Sequence, residues 1–215
     1  MEHPDPWPLR HLVIRTPRLE LRPDDDAGLL ELVEETHLGI HPPAEMPFAV
    51  AWTDADPAVI GRLSMQHYWA VRAQFTPARW DLNLLVRHEG RVIGMQGLLA
   101  TEFGISREVA TGSWIGMRHQ RRGFGTEMRA AVLQFAFDHL GATRARSAAA
   151  AVNTASRRVS QKLGYREDGT ECVVRRGKPT VNVRLVLDEP GFVRPGWTAE
   201  VEGLDACREL LGAPC

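Results

Sequence analysis

Lysine is nearly absent from this chain: Lys162 and Lys178 are the only two among 26 basic residues, so arginine carries the positive charge. Cysteine is scarce and odd in number, with Cys172, Cys207 and Cys215 and no Cys-x-x-Cys pair. That excludes a disulfide-stapled fold and a thiolate zinc site, and it fits a reducing compartment. No stretch approaches the run of about 18 apolar residues that a membrane-spanning helix needs. The first ten residues hold three prolines and no apolar leader core, so a cytoplasmic protein with no membrane partner is expected. Excess charge is missing as well. The 26 basic residues offset 27 acidic ones to a net charge of −1, which argues against an electrostatic grip on nucleic acid. Basic and aromatic residues do not interleave as an RNA-binding surface would require. His37 and His41 stand at ligand spacing, but Gly39 and Pro42 break the helix a metal pair would use, so no metal is expected. Gly112-Ser113 lacks the second flanking glycine of a hydrolase elbow.

What is present is ordinary globular composition, 44% hydrophobic and 25% charged over 215 residues, enough for one domain with its own core. Residues 1–11 read as a loose Pro-rich lead-in. Leu19 and Leu21 alternate with charged neighbours in a short strand over Arg18–Pro23. Asp24–Asp26 offers cap and first-turn carboxylates to a helix ending near Gly39. A second helix is expected from Pro57 to Phe75, with Ile60, Leu63, Tyr68 and Val71 inward. Strands follow at Trp80–Arg87 and Arg91–Ala100 across Glu89-Gly90, and at Val109–Met117. Gly123 opens a helix to about Leu140. Arg144–Val152 is a strand, and Asn153–Leu163 is a helix closed by Gly164. Tyr165–Arg175 and Pro179–Leu187 form a hairpin across Arg176-Gly177-Lys178, and Glu202–Leu211 offers a small helix. This order predicts an α/β domain with a mixed sheet of about seven strands flanked by helices.

Charge is segregated. Nine carboxylates and no lysine or arginine lie between Pro23 and Ile60, whereas nine basic residues face only Glu127 and Asp138 between Arg118 and Lys162. One segment is poised for cations and the other for an anion, unless both are simply solvated faces.

The chemistry concentrates at Gln120-Arg121-Arg122-Gly123-Phe124-Gly125-Thr126. Two glycines permit a tight turn and close backbone approach. The helix start beyond them leaves unpaired N–H groups at its positive end. With two arginines beside it, this is an anion cradle suited to pyrophosphate. A dinucleotide fingerprint would need glycine where Met128 stands, and a P-loop would need a lysine.

The remaining pattern, Q-x-x-G-x-G, resembles the acyl-CoA site of the GCN5-related N-acetyltransferase (GNAT) superfamily. Asn153-Thr154-Ala155-Ser156 followed by Lys162-Leu163-Gly164-Tyr165 is similar to that family's second signature. Gly112-Ser113-Trp114-Ile115-Gly116 resembles the strand before its cradle. Thr16-Pro17-Arg18-Leu19-Glu20-Leu21-Arg22 and Met46-Pro47-Phe48 resemble the RimJ/RimL branch. The likeness covers about residues 12–188, leaving 1–11 as a lead-in and 189–215 as a C-terminal extension. A weaker likeness, in Gly112-Ser113-Trp114 and the tail, is to a mycobacterial group described as succinyltransferases.

The resemblance implies an acyl-CoA-dependent N-acyltransferase, most simply one that moves an acetyl group from acetyl-CoA to a primary amine by direct attack. Succinyl-CoA is the alternative donor. A non-catalytic acyl-CoA-binding module and a purely structural domain are the alternatives of other classes. By this likeness the Trp114–Met117 edge, including Ile115, pairs with the pantetheine arm and offers an N–H to the thioester carbonyl. Gln120, Arg121, Arg122, Gly123, Phe124, Gly125 and Thr126 hold the pyrophosphate. Asn153 and Ser156 sit at the pantetheine amide, and Arg157, Arg158 or Lys162 meets the ribose phosphate. Ser160 stands where many relatives place a tyrosine acid. The relatives' glutamate base is missing, so a water on Ser113 or a carboxylate from the first two helices is left for that task. A cationic amine acceptor and a homodimer are expected.

Overall fold

The computed structural model describes residues 3–213, so Cys215 and the tip of the lead-in lie outside the described residues. Nine strands share one sheet in the order β7-β8-β6-β5-β4-β3-β2-β1-β9. They are β1 (Val13–Arg15), β2 (Glu20–Pro23), β3 (Arg79–His88), β4 (Arg91–Thr101), β5 (Glu108–Ile115), β6 (Arg144–Ala150), β7 (Arg166–Arg175), β8 (Lys178–Asp188) and β9 (Glu200–Glu202). The helices are α1 (Asp26–His37), α2 (Pro57–Ala73), the short α3 (Phe103–Ser106), α4 (Phe124–Gln134) and α5 (Thr154–Lys162). The expectation of seven strands misses β1 and β9. Each is three residues long, too short to show an alternating pattern, and they pair with each other.

Local chemistry explains the sharp corners. Glu89 and Gly90 both take positive φ, 51° and 79°, the two-residue turn whose twist suits a hairpin. Arg176 and Gly177 repeat it at 50° and 70°. The second turn is therefore two residues long, and Lys178 is the first residue of β8 rather than part of the loop. Asp25 caps α1 through the Gly28 N–H at 2.7 Å, and Asp56 caps α2 through the Ala58 N–H at 2.8 Å. Along α2 only Ile60 and Tyr68 are buried. Leu63 is 45% exposed, against expectation, because it falls off the narrow line along which α2 meets the sheet.

The sheet separates two apolar layers. On one face α4 lies almost wholly buried with Phe124, Met128, Val132 and Leu133 in the main core, and it runs on into a π-helical turn, Phe135–His139. On the other face α1 and α2 cover Leu85, Val92 and Trp114. The segments outside the family likeness join the main core rather than trailing from it. Leu9 is buried from the N-terminal side, where Pro8–His11 is a 3₁₀ turn and not a loose arm. Leu204, Cys207 and Leu211 are buried from the C-terminal side. The expected helix over Glu202–Leu211 is instead the end of β9 followed by a 3₁₀ turn, Asp205–Cys207. The buried Trp80 indole donates to the Leu211 carbonyl at 3.1 Å, and Gln134 ties down Trp197 and Ala199.

Leu211→Ala is expected to lower unfolding free energy by about 2–5 kcal/mol, the usual cost of emptying a buried leucine site. Chemical denaturation followed by tryptophan fluorescence measures it; an appended tail would give no change.

Candidate active site

β5 and β6 are the parallel pair in the sheet, and their pairing covers just Glu108–Ala110 against Arg144–Arg146. Beyond that point each strand keeps its other neighbour: β5 stays on β4 to Ile115, and β6 stays on β8 to Ala150. The two strands therefore splay into a wedge. Side chains seal its apex. Ser147 Oγ donates to the Thr111 carbonyl at 3.1 Å, and Thr111 Oγ1 lies 3.4 Å from the Arg146 carbonyl and 3.3 Å from the Tyr165 hydroxyl. Alternation along β5 turns every second backbone unit toward β4, as Gly116 N–H to the Ile93 carbonyl demonstrates. The intervening Ser113 and Ile115 N–H groups face the wedge, and no acceptor meets them among the described residues.

At the wide end of the wedge the chain turns into α4. Arg121 at φ 61° and Gly123 at φ 86° curl the loop. The N–H groups of residues 121–125 have no protein acceptor among the described residues, while Thr126 and Glu127 N–H groups close on the Gly123 carbonyl. Five donors at a helix start form a concavity for an anion. Arg121 and Arg122 are exposed beside it, and Arg122 lies 5.0 Å over the buried Phe124 ring. Gln120 belongs to the scaffold: its N–H donates to Met117, and its side-chain amide donates to the Ile40 and Ile115 carbonyls at 2.7 and 3.0 Å. The Met117 N–H is likewise taken by Gly39.

The loop is bolted from behind by the β1–β2 hairpin. Buried Glu127 accepts from Thr16 Oγ1 at 2.6 Å, from the Arg18 N–H at 3.1 Å and from Arg18 Nε at 2.7 Å. Arg18 also reaches the Arg122 carbonyl at 3.1 Å and covers Phe124 at 4.7 Å. Across the wedge Asn153 Oδ1 caps α5 through the Ser156 N–H, and its amide N–H₂ meets no acceptor among the described residues. Arg157 is drawn back to Glu167 and the Ala151 carbonyl, whereas Arg158 and Lys162 stay exposed without an ion-pair partner among the described residues.

The floor of the wedge holds a group that the sequence motifs do not contain. Arg129 of α4 is 4% exposed and donates to Ser160 Oγ at 2.9 Å and to Ser113 Oγ at 3.1 Å. Its Nε has no partner. Burial pushes its guanidinium pKa down and the Tyr165 phenol up. Ser160, fully buried, also donates its own proton to the Ser156 carbonyl at 3.1 Å, which runs against an acid role for that hydroxyl. Ser113 accepts from Arg129, so one of its lone pairs is taken. The available signal was a charge inside an apolar stripe, since Arg129 precedes Val132, Leu133 and Ala136 at helical spacing.

On the opposite face Trp114 ends a ladder of rings running from His41 through Phe48 and Trp52, with centroids 5.3–5.8 Å apart. The β7–β8 hairpin clamps the α1–α2 connection there, by Arg176 on Asp54 and by Arg175 on the Phe48 carbonyl. Gly112 lies open on this face, with no atom within 4 Å of a Cβ built upon it. The acidic stretch is not a free wall. Asp24 and Asp26 pair with Arg72, Glu31 with Arg87, Glu35 with Arg118 and Asp54 with Arg176, while Asp25 and Asp56 are caps. Only Glu34 and Glu45 keep no partner among the described residues. Glu35, buried on α1, is the carboxylate that reaches the turn just after β5, where it fills the space a side chain on Gly116 would need. An open groove of about 590 Å³ beside Trp7, Asp24, Trp69 and Arg72 shares no lining residue with the wedge.

The family model described as Acetyltransferase (GNAT) domain matches residues 18–166. Among solved structures the chain is similar to Mycobacterium smegmatis RimJ in complex with CoA-disulfide, at 19% identity over 96% of each chain with a TM-score of 0.69. It is similar to RimL, a ribosomal alpha-N-protein acetyltransferase solved with coenzyme A, at 15% identity over 82% of this chain and 97% of that one, TM-score 0.62. A GCN5-related N-acetyltransferase from Brucella melitensis aligns at 20% identity over 88% and 84%, TM-score 0.64. Among the described residues no helix is long and apolar enough to cross a membrane.

Glu127→Gln preserves shape but removes the charge that Thr16 and Arg18 converge on. A loss of about 1–3 kcal/mol in unfolding free energy is expected, the usual cost of leaving partly buried donors poorly matched. Urea denaturation reads it, and an unchanged midpoint would show that the hairpin does not brace the loop.

Proposed function

The chain belongs to the GNAT acetyltransferase family and is an N-acyltransferase, and on that premise we propose that it transfers an acetyl group from acetyl-CoA to a primary amine by direct attack on the thioester. The observation that carries this reading is the wedge between β5 and β6 with five unpaired N–H groups at its mouth. A pyrophosphate needs many donors and positive charge without bulk, and residues 121–125 supply both, with Arg121 and Arg122 alongside. Arg158 and Lys162, free at the rim, suit a ribose phosphate better than Arg157, which Glu167 already holds. The exposed N–H groups of Ser113 and Ile115 extend the sheet onto the pantetheine arm as a strand edge does. The Ile115 N–H, nearer the cradle, meets the arm, and the Ser113 N–H, deeper in the wedge, polarises the thioester carbonyl. The free amide of Asn153 faces a pantetheine amide from α5.

The amine approaches from the Gly112 side, where the backbone is uncovered. Its nitrogen forms the new bond to carbon, its surplus proton passes to water, and the C–S bond breaks with its electron pair on sulfur. An acetyl donor fits this face better than a succinyl donor. The arginines there, Arg175 and Arg176, are engaged by Phe48, Thr180, Asn182 and Asp54 and offer no open fork to a second carboxylate. Any preference for a cationic acceptor rests on Glu34 and Glu45, since the other seven carboxylates of that stretch have partners.

Calorimetry with CoA and turnover of acetyl-CoA against an amine panel test the proposal. Gly123→Glu is expected to abolish CoA binding by setting a side chain and a negative charge into the cradle. Arg121→Ala is expected to weaken it by about 1–2 kcal/mol, the loss of a partly exposed charged contact. Unchanged affinity in a folded Gly123→Glu variant would overturn the cradle; tight CoA binding with no turnover of any amine would point to a binding module.

A further inference from the structure

We propose that Arg129 is a positioning residue for the leaving group, holding Ser113 with its hydroxyl proton turned into the wedge and placing an uncompensated positive charge beneath the sulfur. The inference rests on the reading that the thioester lies along the open edge of β5. Its warrant is the isolation of this cation. Arg129 is 4% exposed, touches two neutral hydroxyls, and leaves Nε without a partner. No carboxylate pairs with it among the described residues, and the one titratable group acting on it is the Tyr165 phenol. From β4 the group opposite Ser113 is neutral Gln96, fully buried with Oε1 unpartnered. A buried charge without a counter-ion is expensive, and an apolar side chain of similar size would serve the core at least as well. Uncompensated charges of this kind mark sites where charge develops during a reaction.

The hydrogen bonds say which hydroxyl can act. The Ser160 hydroxyl donates its one hydrogen bond to the Ser156 carbonyl and so has no donor turned to sulfur. Ser113 receives a bond from Arg129 and has no acceptor for its own proton among the described residues. A hydroxyl that accepts from a guanidinium is a stronger donor in turn. As the C–S bond breaks, the electron pair stays on sulfur. The Ser113 O–H and the Arg129 charge stabilise that thiolate, and no proton need be transferred before it leaves. The amine's proton goes to water. Arg129 lies on the α4 side of the sheet, whereas the acyl end emerges toward Gly112 on the other side, so its charge falls near the sulfur and away from the distal end of an acyl chain.

The test is a titration of the thiol of bound CoA by its ultraviolet thiolate absorbance in the wild type, Arg129→Lys, Arg129→Met and Ser113→Ala. In the wild type the bound thiol is expected to ionise about 1–3 units below free CoA, the range for one nearby opposite charge. Arg129→Met should lose that shift, Arg129→Lys should retain most of it, and Ser113→Ala should lose part. CoA affinity should change little, while kcat with acetyl-CoA should fall about 10–100-fold in Arg129→Met, at or below the loss typical of one preorganised donor, with the KM for the amine unchanged. Normal CoA binding with a thiol that ionises alike in wild type and Arg129→Met overturns this inference alone. Absence of CoA binding to the wild type overturns the site reading and the inference with it. Selective loss of succinyl-CoA turnover in Arg129→Met, with acetyl-CoA untouched, would make Arg129 a ligand for an acyl carboxylate and overturn the proposal. Should Arg129→Met fail to fold, Arg129→Lys and Ser113→Ala decide by the same titration.

Discussion

Two parallel strands share three residues of pairing and then part, and the rest of the site depends on that separation. A strand edge in the middle of a sheet is unusual, because unpaired N–H and C=O groups invite another strand. Here the edge is kept open by what the strands do on their far sides, β5 against β4 and β6 against β8. The apex is closed by Thr111, Ser147 and Tyr165, whose polar atoms take over the bonding that backbone pairing gives up. The result is a slot lined by oriented donors that need no reorganisation when a polar ligand enters.

The cradle depends on a second constraint, the fixed approach of the β1–β2 hairpin to the first turn of α4. Glu127 is a buried carboxylate whose partners, Thr16 and Arg18, come from more than a hundred residues earlier in the chain. Arg18 then braces the loop through the Arg122 carbonyl and the Phe124 ring. The negative charge of Glu127 near the helix start also agrees with the direction of the helix dipole. It is consumed by Arg18, so the mouth of the cradle stays positive.

The acceptor side is organised differently, by charge pairs between segments remote in sequence. Asp54 meets Arg176, and Glu35 meets Arg118. These contacts neutralise most of the acidic stretch while pinning the α1–α2 connection over Trp114. Partly exposed pairs such as Asp54–Arg176 add little stability. Their effect here is geometric, since they set which surface of β5 remains uncovered.

The sequence by itself determined the elements and the cradle. Helical and alternating periods, a cap within Asp24–Asp26, the turn at Glu89-Gly90 and a second turn at Arg176-Gly177-Lys178, one residue longer than the one formed, are local properties, fixed by backbone sterics and near-neighbour hydrogen bonds. Gly123 just before the amphipathic helix and Gly125 in its first turn shape the loop for the same reason. β1 and β9 were not legible, because three residues carry no period and their pairing joins opposite ends of the chain. Only the tertiary structure decided that Gln120 is scaffold, that the Ser160 hydroxyl already donates to a backbone carbonyl, that seven carboxylates have partners, and that Arg129 has no counter-ion among the described residues. Each is a fact about which polar groups meet across long sequence separations. Composition states that charges exist, and only packing settles which of them are left uncompensated.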